Sequence, residues 1–340
     1  MTPAALRAAL ARFPLLPLVH APTPIEPLSR LREALGGGPR LVVKRDDAIA
    51  FGFGGNKVRK LAFVAARAQA DGADTLITAG GVQSNHARAT AAAAAKLGMR
   101  AVLVANGARP ERPTANALLD RLLGAEVVYV GARDERAPKM NEIAERLRGE
   151  GRRPFTIPIG ASTPLGALGY ARALLELLDQ IPPPDAIVHS TSSGGTQAGL
   201  VAGCRLLGLP TRVIGVSADE PSAVLQPQIA ALVSGIGELL DGDPERVALH
   251  VAGVGPPFQG GHAGTAIEVD DRFVGDGYGI PTDASREAID LAARREAIFL
   301  DPTYTGKAMA CLIAHVRQQT FADNQVVLFW HTGGQVGLFA

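Results

Sequence analysis

Short apolar runs alternate with longer segments of helical periodicity along most of the chain. The apolar runs lie at 41–44, 75–78, 101–104, 126–130, 155–159, 186–189, 212–216 and 325–331. Most of them are continuously apolar, which is typical of strands buried on both faces of a parallel sheet. Segments in which apolar residues recur at helical spacing lie between them, at 58–70, 86–97, 116–123, 139–148, 165–178, 196–207 and 285–295. This alternation predicts an α/β fold with right-handed crossover connections.

The length of the chain limits the number of domains. The chain has 340 residues, and at roughly 100–200 residues per domain this predicts two domains or one large one. Stretches rich in Pro and Gly occur at 36–39, 51–55, 181–184 and 253–264. The stretch at 253–264 is expected to form a long loop.

The charge balance and the cysteine count exclude several classes of protein. The chain has 34 Lys and Arg against 33 Asp and Glu, without the basic excess of a dedicated nucleic-acid binder. Its two cysteines, Cys204 and Cys311, are too few for a disulfide framework and are expected to be buried and reduced. No apolar run approaches the ~18 residues that span a bilayer, and the N-terminal segment lacks a signal-peptide cleavage site. A cytoplasmic protein that binds neither membrane nor nucleic acid is expected.

The first segment with candidate chemistry is 51–60, which reads FGFGGNKVRK. Its glycines precede Lys57, which opens an amphipathic helix. The positive end of the helix dipole favours the neutral amine, and a neutral amine is the form that makes a Schiff base. The alternative is that Lys57, Arg59 and Lys60 are solvated surface charges.

Two further segments place small and polar residues between a strand and a helix, where open α/β sheets bind ligands. In 78–88, Ser84, Asn85 and His86 follow a glycine pair. Either Ser84 or Asn85 caps the helix, or the exposed N–H groups and the hydroxyl hold an anion such as a carboxylate. In 190–199, which reads STSSGGTQAG, small residues leave backbone N–H groups facing one concavity. That pattern is typical of a phosphate cradle, with a purely structural turn as the alternative. It matches neither the dinucleotide fingerprint nor a P-loop.

A fourth segment, 300–307, reads LDPTYTGK, and HTGG follows the last apolar run at 331–334. Asp301 can start a helix at Thr303, with Tyr304 in the first turn, where the helix dipole can lower a phenol pKa. The alternative is a buried tyrosine beside a capped helix. A lysine, a phosphate cradle, a carboxylate site and a tyrosine together suit pyridoxal 5'-phosphate (PLP), an electron sink that forms a Schiff base with lysine.

The motifs resemble the D-cysteine desulfhydrase / 1-aminocyclopropane-1-carboxylate deaminase family of fold-type II PLP enzymes. The resemblance runs from ARFP at 11–14 and PTPI at 22–25 to HTGG at 331–334. It is carried by the combination of KRDD at 44–47, GGNKVRK at 54–60, QSNH at 83–86 and DPTYTGK at 301–307.

The resemblance implies a role for each matching residue. Lys57 would be the Schiff-base lysine, Asn85 would contact the phenolic oxygen of the cofactor, and Ser84 would hold the substrate carboxylate or act near Cα. Tyr278 and Tyr304 match the two active-site tyrosines, and His86 would lie beside the substrate. The remaining cofactor contacts would come from Ser193, Gly194, Gly195 and Thr196 at the phosphate and from Thr305 and Thr332 near the pyridine nitrogen.

The residue after the second tyrosine discriminates within the family. By the resemblance, the deaminase branch carries a glutamate at that position, where it partners the pyridine nitrogen; this chain has Thr305. A carboxylate keeps the pyridine nitrogen protonated and strengthens the electron sink, which opening of a cyclopropane ring demands. Thr305 therefore favours α,β-elimination from a 3-substituted alanine, with D-cysteine as the leading substrate. L-cysteate sulfo-lyase and 1-aminocyclopropane-1-carboxylate deaminase activities stay open, as does a non-catalytic PLP carrier or amino-acid sensor. The base that takes the Cα proton is either Lys57 or a tyrosine.

The resemblance also implies the architecture. Two open twisted-sheet α/β domains, arranged as in the β-subunit of tryptophan synthase, would hold PLP between them. The small domain would span 52–155, and the large PLP-binding domain would combine 1–51 with 156–340. The substrate would be a small amino acid, and the family implies a homodimer.

Overall fold

The computed structural model describes residues 1–20, 22–242 and 266–340. The predicted loop at 253–264 lies outside the described residues. The strands of the described chain are β1 (Ile25–Pro27), β2 (Arg40–Arg45), β3 (Thr75–Gly81), β4 (Arg100–Asn106), β5 (Glu126–Val130), β6 (Pro154–Thr156), β7 (Ala186–Thr191), β8 (Arg212–Ser217), β9 (Glu268–Asp270) and β10 (Val326–His331). The helices are α1 (Pro3–Leu10), α2 (Ser29–Ala34), α3 (Asn56–Ala70), α4 (Asn85–Leu97), α5 (Ala115–Leu122), α6 (Arg136–Gly149), α7 (Pro164–Leu178), α8 (Gly195–Leu207), α9 (Ser222–Asp241), α10 (Asp283–Glu296) and α11 (Thr305–Arg317).

The strands form two open sheets. The larger sheet has six strands in the order β1-β2-β10-β7-β8-β9, and the smaller has four in the order β5-β4-β3-β6. All pairings are parallel except that of β1 with β2. The predicted parallel α/β fold is therefore confirmed.

Helices cover both faces of each sheet. Alternate residues of β2, such as Val42 and Val43, point to opposite faces of the larger sheet. One face packs against α1, α7, α8 and α9, and the other against α2, α10 and α11. This burial on both sides explains why the strands read as continuous apolar runs rather than alternating ones. Cys204 and Cys311 are buried and free, as expected.

Helix α9 comes nearest to a membrane-spanning segment. It has 20 residues with a mean hydropathy of 1.4, which is long and apolar enough to cross a bilayer, and the sequence patterns did not single it out. Its residues Leu225, Ile229 and Ile236 are nevertheless buried against α7, α8 and the larger sheet. Because that face packs into the core, the helix belongs to the fold of the larger sheet.

A buried ionic network ties α3 to β2 and α7. Arg59 donates to Asp46 through Nε (2.9 Å) and Nη2 (2.8 Å), and its Nη1 donates to Glu176 at 2.8 Å. Lys44 donates to the same glutamate at 2.7 Å, and Tyr170 donates to Asp46 at 2.6 Å. We call Lys44, Asp46, Arg59 and Glu176 the Arg59 network. Arg59 is 3% exposed, so the interpretation of this residue as a solvated charge is wrong.

Candidate active site

A cavity opens at the carboxyl ends of β3, β4, β7 and β10, and residues from both sheets line it. This is where ligands bind in open α/β sheets. The sequence-predicted residues that line it are Lys57, Ser84, Asn85, His86, Ser193, Gly194, Gly195, Thr196, Tyr278, Tyr304 and Thr332. Thr305 is the predicted site residue that is not among the lining residues.

A glycine turn positions Lys57 in the first turn of α3. The N–H of Asn56 donates to the carbonyl of Thr332 at 2.9 Å, just beyond β10. Gly55 has a φ of +93°, and a Cβ added to it would lie 2.9 Å from that same carbonyl oxygen. Only glycine tolerates this backbone conformation and this approach at little cost, so the turn holds the lysine helix against the larger sheet.

The Lys57 amine is poised to lose its proton near neutral pH. Burial, followed by the charge of Arg88, lowers the pKa of Lys57 to about 8, while Asp301 opposes the shift. The direction agrees with the expectation from the helix dipole, but the leading cause is burial. A large fraction of the neutral, nucleophilic amine is therefore present at mildly alkaline pH.

The segment after β3 caps α4 and also faces the cavity. The Ser84 hydroxyl accepts from the N–H of Ala87 at 3.2 Å, as the capping interpretation expects. Because the hydroxyl is the acceptor in that bond, its proton can still be donated to an anion. Asn85 accepts from Asn116 at 2.9 Å. Burial, followed by the charges of Lys57 and Lys60, lowers the pKa of His86 well below its usual range, so the imidazole is neutral.

The segment after β7 forms the predicted cradle at the start of α8. The N-cap residue of this helix, Gly194, has no side chain that could cap it, so the helix dipole and the N–H groups that follow Gly195 can meet an anion. Ser162 shares a hydrogen bond with Ser193 at 2.8 Å and accepts from the N–H of Gly195 at 3.2 Å. A Cβ added to Gly160 would lie 2.2 Å from the Ser193 hydroxyl, and one added to Gly195 would lie 2.6 Å from the Ser162 hydroxyl. The glycines therefore keep the cradle open.

Lys60 adds a cation to this cradle. Its side chain is buried, and its Nζ donates to the Ser162 hydroxyl at 3.2 Å. Burial, followed by the charge of Lys57, lowers the pKa of Lys60 well below its usual range. A buried ammonium that faces hydroxyl groups gains most from a bound phosphate. The cradle and Lys60 therefore fit the phosphate group of PLP.

The two tyrosines meet across the cavity wall. The hydroxyls of Tyr278 and Tyr304 form a hydrogen bond, and their rings pack edge to face with centroids 5.7 Å apart. Burial raises the pKa of both phenols. The expectation that the helix end lowers the pKa of Tyr304 is therefore wrong. Helix α11 begins one residue later than Tyr304, and the Asp301 carboxylate already caps it by accepting from Thr303, Tyr304 and Thr305.

Thr305 and Thr332 differ in placement although both are buried. The Thr305 hydroxyl donates to Asp301 at 2.7 Å and accepts from the Asp301 N–H at 2.9 Å, so both of its functions are used inside the cap. The Thr332 hydroxyl shares a hydrogen bond with Ser190 at 2.8 Å, and both residues line the cavity. Both residues were predicted to contact the pyridine nitrogen. Thr332 lines the cavity, and Thr305 does not.

Several lining residues were missed by the sequence analysis. Gly160 lies between β6 and α7, two residues before Ser162, which bonds to Ser193 of the cradle. Lys60 was predicted only as a possible surface charge. Arg133, Arg136 and Asp219 also line the cavity; the two arginines follow β5 along the chain, and Asp219 follows β8. Their one sequence signal is position, because each follows the end of a strand.

A nucleophilic lysine beside an anion cradle, in a cavity that residues from both sheets line, defines a PLP-dependent enzyme. The chain belongs to the pyridoxal-phosphate dependent enzyme family, whose family model matches residues 16–333. It is 40% identical to D-cysteine desulfhydrase from Klebsiella pneumoniae (strain 342) and 40% identical to D-cysteine desulfhydrase from Salmonella typhi, over 97% of each chain in both cases. The predicted family and cofactor are confirmed.

Solved structures agree with this assignment. A crystal structure of an ACC deaminase homologue matches with a TM-score of 0.86 and 37% identity, covering 98% of this chain and 96% of that one. The processed form of threonine deaminase isoform 2 from Solanum lycopersicum matches with a TM-score of 0.66 and 19% identity, covering 98% of this chain and 84% of that one. The second likeness concerns the fold alone, and the predicted fold-type II class is confirmed.

Proposed function

We propose that the protein catalyses PLP-dependent α,β-elimination from a 3-substituted alanine, with D-cysteine converted to pyruvate, hydrogen sulfide and ammonia. The observation that carries the proposal is Lys57, whose pKa of about 8 suits both Schiff-base formation and proton transfer. The D-cysteine desulfhydrase relatives support the choice of substrate.

The cofactor would be held at three places. Ser193, Gly194, Gly195 and Thr196, with Lys60 and Ser162, would bind the phosphate at the start of α8. Lys57 would bond covalently to the cofactor, and Asn85 and Thr332 would contact its ring. When bound, PLP supplies an electron sink for the pair released at Cα.

The residues around the cavity would divide the remaining work. Ser84 and the N-terminus of α4 would hold the substrate carboxylate, beside the neutral His86. Lys57 would accept the Cα proton at Nζ, because the raised pKa of each phenol keeps Tyr278 and Tyr304 protonated. A protonated tyrosine would instead donate a hydrogen bond to the departing group.

The elimination balances in atoms and charge. The Cα–H and Cβ–S bonds break and a Cα=Cβ bond forms, while the sulfur leaves with the electron pair of its bond. The released enamine takes up water to give pyruvate and ammonia. The protein therefore has to hold one proton and stabilise one anionic leaving group.

The test is a panel of alanine derivatives incubated with the PLP-loaded protein. D- and L-cysteine, D-serine, L-cysteate, 3-chloroalanine and 1-aminocyclopropane-1-carboxylate are assayed for keto-acid release. Pyruvate and sulfide from D-cysteine are expected, with turnover reduced about 10³-fold or more in Lys57→Ala. Lys96→Ala, on the exposed end of α4, is the control and should retain turnover and the visible cofactor band. A loaded protein that lacks this band, or that turns over none of the panel, contradicts the proposal.

Ring-opening deamination is a second candidate, supported by the ACC deaminase homologue. The argument against it from Thr305 is weakened by the position of this residue outside the cavity lining. Ketobutyrate from the cyclopropane amino acid, at a rate comparable to pyruvate from D-cysteine, would reverse the ranking. Release of sulfite from L-cysteate would indicate sulfo-lyase activity. A normal cofactor band without turnover of any member of the panel would indicate a non-catalytic PLP carrier.

We also propose the oligomeric state, the cellular location and the domain boundaries that the family implies. The protein would act as a homodimer in the cytoplasm on a small amino-acid substrate. Its small domain would span 52–155 and its large domain 1–51 plus 156–340, so that the cavity lies between them. Sedimentation of the purified protein at micromolar concentration tests the dimer.

A further inference from the structure

Two arginines line the same cavity as Lys57, although a small zwitterionic substrate does not by itself require them. Both follow β5: Arg133 lies in the connection after this strand, and Arg136 begins α6. Arg133 stacks on Tyr278, with its Cζ 4.9 Å from the ring centroid. Because the Tyr278 hydroxyl contacts Tyr304, the arginines and the tyrosine pair form one wall of the cavity.

The two arginines contact each other and residues at the ends of β4 and β8. The Nε of Arg136 donates to the carbonyl of Arg133 at 2.9 Å, and its Nη1 donates weakly to Asn106 at 3.4 Å. The Nη1 of Arg133 lies 3.5 Å from an Asp219 carboxylate oxygen. These contacts hold both guanidiniums at the cavity wall, where the side chain of Arg133 remains 48% exposed to solvent.

The charges of this wall do not balance. Among the residues that the structure describes, two guanidiniums face one carboxylate at this wall, and the contact of Arg133 with Asp219 is long for an ion pair. Burial, followed by the charge of Arg133, lowers the pKa of Arg136, which marks repulsion between the two cations. An anion bound at this wall would relieve that repulsion and form charge-assisted hydrogen bonds with planar, multidentate donors.

The carboxylate and the amine of an amino-acid substrate already have partners elsewhere in the proposed site. Its carboxylate would meet Ser84 and the N-terminus of α4, and its amine would react at the cofactor. The group left to meet Arg133 and Arg136 is the substituent on Cβ. We propose that Arg133 and Arg136 form a subsite for an anionic 3-substituent, so that the enzyme prefers alanines bearing a sulfonate, sulfinate or thiolate over those with a neutral substituent. This inference rests on the proposed elimination activity.

The kinetic test compares an anionic with a neutral substituent in the PLP-loaded enzyme. Substitution of Arg133 or Arg136 by glutamine should lower kcat/KM for cysteate about tenfold and change that for 3-chloroalanine less than about twofold. Asp219→Asn should raise the ratio of cysteate to 3-chloroalanine, because it removes the opposing charge. Arg146→Gln is the matched control, since Arg146 lies on the same helix in an exposed pair with Glu150. Equal losses for both substrates in the two arginine variants would mean that the arginines only support the wall, and would overturn the proposal.

A binding measurement separates this subsite from the reaction. 3-Sulfopropanoate and butanoate share a carboxylate and lack the amine, so neither can react. Calorimetry with the PLP-loaded enzyme should show about tenfold tighter binding of 3-sulfopropanoate, an advantage that falls with ionic strength and is lost in Arg136→Gln. Equal affinities in the unmodified enzyme contradict the subsite. Preferential binding of 3-sulfopropanoate without turnover of any alanine derivative would instead retain the subsite and contradict the elimination activity.

Discussion

The two faces of α3 carry buried cations in opposite circumstances. Arg59 faces the core, where Asp46 and Glu176 satisfy its guanidinium on both edges. Lys57 and Lys60 face the cavity, where Lys60 meets a serine hydroxyl and the pKa of each amine is lowered by burial. On one helix, therefore, Arg59 is stabilised by carboxylates of the protein itself. We expect Lys57 and Lys60, a few residues away, to be stabilised by a bound ligand.

The difference between the two faces of α3 shows that buried cations without carboxylate partners can mark a ligand-binding face. Burial of an unpaired ammonium costs free energy, and a fold retains such a group at little benefit to itself. Burial opposes the charge of Arg59 as well, but its two carboxylate partners raise the pKa of this guanidinium. Burial raises the pKa of Glu176, but its hydrogen bonds to Arg59 and Lys44 outweigh this and bring it down to about 2. The Arg59 network is therefore charged and internally satisfied, whereas the lysine face is not.

The largest effect on stability is expected from breaking the Arg59 network. Arg59→Met leaves Asp46 and Glu176 buried without their main partner, so the free energy of unfolding should fall by roughly 3–5 kcal/mol. Urea denaturation with the cofactor-free protein measures it. Arg67→Met on the same helix removes only the surface pair with Asp71 and should cost less than about 1 kcal/mol. Similar losses in the two variants would show that the network contributes no more than a surface pair.

The opposite result is expected for Lys60. Lys60→Met removes a buried amine that donates to a hydroxyl rather than to a carboxylate, so the cofactor-free protein should be as stable as the parent or more stable by about 1 kcal/mol. Its affinity for PLP should fall about tenfold or more, because the phosphate loses a charge-assisted contact. Fluorescence titration of the cofactor-free protein with PLP gives the affinity. A large loss of stability with unchanged PLP affinity would place Lys60 among the structural cations.

A smaller effect distinguishes the protonation of Lys57 from that of an exposed lysine. Below its pKa the amine is charged and cannot attack an aldehyde; above it the neutral amine is present. The rate at which cofactor-free protein captures PLP should therefore rise with pH and reach half its maximum near pH 8. Arg88→Met removes a nearby positive charge and should move this midpoint upward. A midpoint near the ordinary lysine value of 10.5 in the parent protein would show that burial does not perturb this amine.

Much of the fold follows from local sequence patterns, with failures at identifiable places. The central strands were predictable because burial on both faces makes them continuously apolar. The strands β1 and β9 have three residues each, too few to show any pattern, and the predicted run at 155–159 stops at Thr156, two residues before Pro158. Helix α9 contains Pro227. Because proline usually ends a helix, the sequence pattern predicts two shorter segments there.

The residues of the candidate site were predictable where reactive or polar side chains follow a glycine-rich turn. Lys57 and the cradle were found because glycines and small polar residues mark the approach of backbone to ligand. Arg133 and Arg136 lie instead in a charged stretch, GARDERAPK, which has the composition of a solvated surface. Their place at the cavity depends on the packing of β5 beside β4. The position of Thr305 likewise depends on Asp301, which draws its hydroxyl into the helix cap.

The strand order of the larger sheet has a consequence for biosynthesis. Strand β10 lies between β2 and β7, yet the ribosome makes it long after both of them. Until it emerges, β2 and β7 present unpaired apolar edges, which are prone to associate with other chains. The Thr332 carbonyl that fixes Asn56 and the Trp330 indole that donates to Asp46 arrive with the same strand. A nascent chain can therefore complete neither its central sheet nor the seat of its reactive lysine until this strand has been translated.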